Sequence, residues 1–185
     1  MLYQLAEINI ATFRVPAADP VNAEFVANLD RVNAQAEAAP GFIWRLVGDG
    51  NNALEIQAFD NPNTAINMSV WSDMDSLANF VYRNPGHREI MRRRKEWFDR
   101  MEFHLALWWV PAGHRPTVVE GKARLETLAR VGPSGDAFLF NKPFPAPGVA
   151  CAGGSSSTCP LRAAATDSTR PVFRAATSRR PGDFE

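Results

Sequence analysis

Several residue types are scarce in this chain. Its 185 residues include two cysteines, two tyrosines and three histidines, and twenty basic side chains are cancelled by twenty acidic ones. With a formal net charge of zero, no bulk field draws the chain to nucleic acid or to an anionic membrane. No apolar run approaches the roughly 18 residues of a membrane span, and Met1 to Asn9 carries no basic patch ahead of an apolar core. Neither a span nor a signal peptide is expected, and the expected compartment is the cytoplasm. Cys151 and Cys159 both fall in a polar C-terminal stretch, which excludes a disulfide framework and a CxxC redox or zinc site. A Gly-rich phosphate loop, a GxSxG elbow and an HExxH pair are all missing, so nucleotide-dependent chemistry and serine hydrolysis are set aside. His87, His104 and His114, with gaps of 17 and 10, do not have metal-ligand spacing, and no metal is expected.

What remains is enough for one real core, because 45% of the chain is hydrophobic. Composition changes near Pro147. Residues 1–147 read as the folded domain, and 148–185, built mostly from Ala, Ser, Thr, Arg, Gly and Pro without a period of 2 or 3.6, read as a disordered, solvated tail. Within the domain, Tyr3 to Thr12 alternates as a strand and ends before Pro16 and Pro20. A helix opens near Val21 and Asn22, carries Phe25, Val26, Leu29, Val32 and Ala36, and stops before Pro40-Gly41. Phe42 to Val47 is a second strand, with Trp44 and Phe42 placed on one side, and Ala53 to Phe59 is read as a continuation of its hairpin. Ala65 to Trp71 is a further strand, and Met74 to Tyr82 is a helix capped by Ser72 or Asp73. After the Asn84-Pro85-Gly86 break a second helical piece is predicted from His87 to Glu102. His104 to Val110, apolar on both faces, reads as a central strand, and Thr117 to Ala129 as a last helix.

This order, strand, helix, strand, strand, broken helix, strand, is that of the ferredoxin-like split βαβ, an α+β fold with a four-stranded antiparallel sheet. Helices on one face would leave the other bare. That bare face would carry Trp44 or Arg45, Trp71 or Asn67, and Trp108 or Trp109, so a second sheet is expected to cover it in a homodimer.

Asn67-Met68-Ser69-Val70-Trp71, Phe80-Val81-Tyr82, His87, Met91-Arg92-Arg93-Arg94, Trp97-Phe98 and the run from Leu107 through Trp108-Trp109-Val110-Pro111-Ala112-Gly113-His114-Arg115-Pro116 resemble a bacterial domain-of-unknown-function family. That family is similar to the antibiotic-biosynthesis monooxygenases of the dimeric α+β barrel superfamily. The resemblance spans roughly Tyr3 to Pro147 and implies the barrel fold and dimerisation. Asn67 and Trp71 resemble the asparagine and tryptophan that cofactor-independent quinone-forming members place in their cavity, where the amide holds a phenolate or carbonyl oxygen and the indole packs on the rings. Such enzymes need no cofactor, because a deprotonated electron-rich substrate itself reduces oxygen. Leu77 stands in the region where those enzymes use a tyrosine, and Tyr82 is the nearest substitute. Some relatives in the wider superfamily bind haem through one histidine, which makes His87 and His104 candidate haem ligands.

A continuous helix over His87 to Glu102 would bring His87, Met91, Arg94, Phe98 and Met101 onto one line. Two readings follow. Either His87 bonds a backbone carbonyl near the break and Arg94 snorkels or pairs, or both project into an internal pocket where His87 moves a proton and Arg94 holds an anionic oxygen. Asn67 and Trp71 divide similarly between a sheet edge with a core indole and a substrate cavity. On the catalytic reading, Asn67, His87 and Arg94 act on an aromatic or polycyclic small molecule walled by Trp44, Trp71, Tyr82 and Trp108, and His114, in a rigid turn, lies over the open end of the sheet. The competing expectation is a non-catalytic dimer that binds a small ligand in the same cavity.

Overall fold

An imperfect period of two and the absence of proline carry the first strand through ten residues, β1 (Tyr3–Thr12). In the computed structural model, which describes residues 2–102 and 104–148, it lies inside an antiparallel sheet with β2 (Phe42–Arg45), β3 (Thr64–Trp71) and β4 (Leu105–Pro111). Except for Gly148, the tail expected to be disordered falls outside the described residues. The strand order is β2-β3-β1-β4 and every pairing is antiparallel, which is the ferredoxin-like arrangement. β4 is therefore an edge strand rather than a central one. Its free edge is closed by Phe138, whose amide and carbonyl both bond Leu107, at 2.8 and 2.9 Å.

Local chemistry sets the helix ends. α1 (Ala23–Glu37) follows a 3-10 turn that begins at Pro20 and is capped by Asp19, whose carboxylate accepts from the Val21 amide at 2.9 Å. α2 (Met74–Arg83) starts at Asp73, which accepts from the Ser76 amide at 2.7 Å. Asn84 stands before a proline and is held in an extended conformation, so α2 stops there; its side chain then caps α3 (Pro85–Arg93) through the His87 amide. The second helical piece is shorter than the periodicity predicts. After Arg93 the chain makes one 3-10 turn, Arg94–Glu96, and runs back beside β1, where Asp99 donates to the Thr12 carbonyl at 2.9 Å. Burial of Trp97 and Phe98 against Phe13 and Phe25 outweighs continuation of the helix, so Phe98 and Met101 never join the line that begins at His87. α4 (Val118–Val131) is capped by Thr117 and closed by Gly132 at φ 76°.

The register gives each face of the sheet its residues. Ala6, Val70 and Trp108 align on one face with Ile8, Met68 and Ala106; Leu5, Trp71 and Trp109 align on the other with Glu7, Ser69 and Leu107. α1, α2 and the 138–144 segment cover the second face. The first face, expected to be bare, is covered by α4 of the same chain. Leu125 and Leu128 pack there, and so does the stretch 53–59, which forms no strand but lays Ile56, Ala58 and Phe59 on the core. Lys122 ties the two covers together by donating to the Ala58 carbonyl above the Phe59 ring. A Cβ on Gly121 would stand 2.8 Å from Ile8 Cδ1, which shows how closely α4 lies on the sheet. The aromatic argument for a second sheet therefore loses its ground, since α4 leaves Trp108 only 1% exposed.

Candidate functional site

The helix-covered face is not uniformly apolar. At one end Leu5, Trp71, Leu77, Phe80, Leu107 and Phe138 form a cluster over which Val32 and Ala36 of α1 are laid. At the other end Phe13, Phe25, Trp97 and Phe98 form an aromatic cluster. Between them the two inner strands, β1 and β3, present Glu7 opposite Ser69, Asn9 opposite Asn67, and the small pair Ala11 and Ala65. α1 reaches from one cluster to the other, with Phe25 in the aromatic one and Val32 and Ala36 on the other.

Glu7 is the centre of that stretch. It is 5% exposed, and its carboxyl is held on both oxygens: Ser69 Oγ donates to Oε2 at 2.8 Å and Asn9 Nδ2 donates to Oε1. Trp71 fixes the direction of the first bond. Its indole Nε1 donates to Ser69 Oγ at 2.9 Å, so the hydroxyl proton is left to point at Glu7. Burial raises the Glu7 pKa from 4.5 to about 7, against the opposing pull of the bonds from Asn9 and Ser69. The result is a carboxyl group poised to gain or lose a proton near neutrality. When protonated, its acid hydrogen must use a lone pair that neither Ser69 nor Asn9 occupies. Beside Ser69 on β2, the buried Arg45 is already committed to Glu37 at 2.7 Å and to Asn51.

The structure divides the residues expected to share a site. Asn67 and Trp71 do lie on one face, with Trp71 buried under Phe80 (ring centroids 5.4 Å apart) and Asn67 exposed at the edge of β3 beyond the reach of β2. Trp44 and Trp108 lie on the opposite face, because Trp44 pairs with Val70 and Trp108 with Ala6. A β-bulge between Phe42 and Trp44 is the reason: it sends Phe42 toward Trp71 and Trp44 to the α4 side, splitting a pair that simple alternation keeps together. The four aromatics cannot form one wall. Tyr82, 57% exposed, is on the outer side of the helices against Phe140. Arg94 is also exposed, since the helix has already ended, and its guanidinium donates to the Met91 carbonyl at 2.7 Å.

His87 is half-buried, with its ring 5.2 Å from that of Phe80 and Nδ1 2.9 Å from the Val81 carbonyl. A carbonyl only accepts, so Nδ1 carries the hydrogen, and burial lowers the pKa below its ordinary value. This imidazole ties the end of α2 to α3. His104 is exposed, so it does not stand on the apolar wall that the haem expectation placed it on.

His114 meets α4, not the open sheet. Its Nε2 lies 2.7 Å from Glu120 Oε2, while Trp108 Nε1 donates to Glu120 Oε1 at 2.9 Å. Desolvation works against the Glu120 carboxylate, but the bonds from His114 and Trp108 and the nearby Arg124 outweigh it and keep its pKa below the usual value. The Trp108 to Pro116 run thus explains itself locally as a clasp that holds α4 to β4. Among the described residues no three His, Cys, Asp or Glu side chains gather as a metal-ligand set, and no helix is long and apolar enough to cross a membrane.

Glu7 was the functional candidate that sequence reasoning passed over. The signal was present: an acidic residue at an inward position between Leu5 and Asn9, in a strand whose other face is Ala6, Ile8 and Ile10. Only the register, which sets Ser69 against it, turns that signal into a site.

A family model described as "Domain of unknown function (DUF3291)" matches residues 4–153. No curated protein matches the chain. Among solved structures, SnoaB, a cofactor-independent oxygenase from Streptomyces nogalater, is similar at 18% identity and a TM-score of 0.40, covering 60% of this chain and 95% of its own. A dabb family protein with a ferredoxin-like fold from Mesorhizobium loti is similar at 11% identity and a TM-score of 0.38, covering 60% and 99%. Overlaps of this size leave the chemistry to the residues themselves.

Proposed function

Because the chain belongs to the DUF3291 family, whose description names no reaction, we propose from its own residues that it is a small-molecule enzyme. On this reading it is a cofactor-independent oxidoreductase acting on an electron-rich aromatic substrate that approaches the polar stretch of the sheet from its exposed end at Asn67. The observation that carries the reading is Glu7, a buried carboxyl with both oxygens held and a pKa of about 7.

Glu7 takes a proton from the substrate, and Ser69, aligned by Trp71, keeps the carboxylate oriented for it. The amide of Asn67, at the open end of the stretch, holds the substrate carbonyl or phenolate oxygen, and the Phe13 and Trp71 clusters bound the ring system. The resulting anion reduces molecular oxygen. For an anthrone, one oxygen atom enters the ring as the new carbonyl and the other leaves as water with the two hydrogens lost from carbon. His87 and Arg94 act in this scheme only by shaping the α2–α3 elbow.

Oxygen uptake with an anthrone or a hydroquinone tests the proposal. The expected result is turnover whose kcat/KM rises with pH through an apparent pKa near 7, and a loss of about 100-fold or more in Glu7→Gln. A variant as active as the parent would remove Glu7 from the chemistry. A ligand that binds and emerges unchanged would leave a binding protein in place of an enzyme.

The proposal retains a homodimer, with a different seam. β2 is an open edge strand, and Ile43 on it and Val47 just after it are 40% and 43% exposed, so a second copy adds along that edge. Light scattering of the parent and of Ile43→Lys reads this directly: a mass of two chains is expected for the parent and of one for the variant.

A further inference from the structure

α3 sorts its charges by side. Toward α1, Glu89 meets Arg31 at 3.6 Å, and Arg93 pairs with Glu24 and, at 2.8 Å, with Glu96. The adjacent side, about 100° round the helix, carries Arg88 and Arg92, one turn apart, with Arg94 just past the helix end. Among the described residues none of these three guanidinium groups lies within ion-pair distance of a carboxylate, and the one bond Arg94 makes is to a backbone carbonyl. Together with Val81, Tyr82 and Met91 they line a hollow of about 280 Å³ in the elbow between α2 and α3. Two of its apolar members are open to solvent, Tyr82 by 57% and Met91 by 40%.

Like charges held together repel one another, and exposed apolar groups are unfavourable in water. One kind of guest relieves both costs: an anion carried on an apolar body. The elbow that would receive it is fixed by the Asn84 cap on the His87 amide and by the His87 ring on the Val81 carbonyl.

We propose that this groove is a binding site for a small aromatic carboxylate. The carboxylate accepts from Arg88 and Arg92, whose planar donors suit two oxygens, and the ring lies on Tyr82 and the Met91 thioether, with the Arg94 plane free to stack. The volume falls just below the roughly 300–1,000 Å³ of drug-sized sites, which suits one or two fused rings. The groove is on the outer side of the helices, away from Glu7, so it stands or falls independently of the oxidative reading.

Titrating 2-naphthoate into the full chain labelled with 13C at the methionine methyls tests it. The Met91 signal, assigned through Met91→Leu, is expected to shift saturably, and 2-naphthylmethanol, the same ring without the charge, is expected to bind about tenfold more weakly. Arg88→Ala with Arg92→Ala is expected to weaken the acid by about tenfold, and added salt to weaken it further. Both arginines are exposed and, among the described residues, in no ion pair, so the double variant is expected to fold. Equal binding of acid and alcohol, unchanged binding in the double variant, or a shift at other methionines without Met91 would overturn the proposal. So would sedimentation with phosphatidylserine vesicles that 2-naphthoate does not compete away, because the groove would then be reading a lipid surface.

Discussion

The two faces of one sheet have been finished in opposite ways. On the α4 side, Ala6, Ile8, Met68, Val70 and Trp108 are buried without a charged group among them, and the helix comes so close that a Cβ at position 121 would stand 2.8 Å from the end of the Ile8 side chain. On the α1 side, the equivalent rows are interrupted by Glu7, Ser69, Asn9 and Asn67, and Glu7 remains at a cost in desolvation that a leucine would not incur. The first face is built for stability. The second gives up stability where its chemistry would be, which is the expected signature of a functional surface.

The largest way to break this contrast is to empty the dry face. Trp108→Ala removes a fully buried indole and the donor that anchors Glu120, and is expected to cost about 3–5 kcal/mol, measured by urea unfolding. The polar face should respond to pH instead. An acid whose folded pKa is above its unfolded value binds more protons in the folded state between the two, so the Glu7 contribution is fully present below pH 4.5 and is lost as pH rises to about 7. The move from 4.5 to about 7 corresponds to roughly 3 kcal/mol. Unfolding at pH 4.5 and at pH 8 should show that loss in the parent and not in Glu7→Gln; a parent with no slope beyond that of the variant would dissolve the distinction between the faces.

Gly121→Val sharpens the packing side of the comparison. Leaving glycine in a helix gains about 1 kcal/mol at most, whereas branching into Ile8 at 2.8 Å and Met68 at 3.1 Å should cost about 1–3 kcal/mol, so net destabilisation is expected. Gly121→Ala, which meets only the ends of flexible side chains, should come out near neutral on the same measurement. The smallest effect belongs to the cap of α4. Thr117→Ala loses the bond to the Glu120 amide and should cost about 1 kcal/mol, while leaving oxygen uptake unchanged.

Much of the fold was legible in the sequence, and for a physical reason. β1, α1, α2 and β3 are announced by alternation, by helical spacing and by Pro, Asp and Asn stops, all of which act within a few residues. The failures share a cause as well. The end of α3 at Arg93, the bulge in β2 and the loop over 53–59 are decided by distant partners: Phe13 and Phe25 for Trp97 and Phe98, β3 for Trp44, α4 for Phe59. A helical wheel drawn through His87 and Arg94 could not know that the helix stops between them and the residues meant to flank them.

By itself the sequence determined the order of elements, the ferredoxin-like topology and the presence of inward polar residues on β1 and β3, because periodicity and turn chemistry are local. Tertiary structure alone decided which residues meet. Cross-strand register set Ser69 and Asn9 on Glu7, and the docking of α4 closed a face that four strands and two helices leave open. Only after those long-range contacts formed could burial lift one carboxyl toward neutrality and leave three arginines in an elbow without a counter-charge among the described residues.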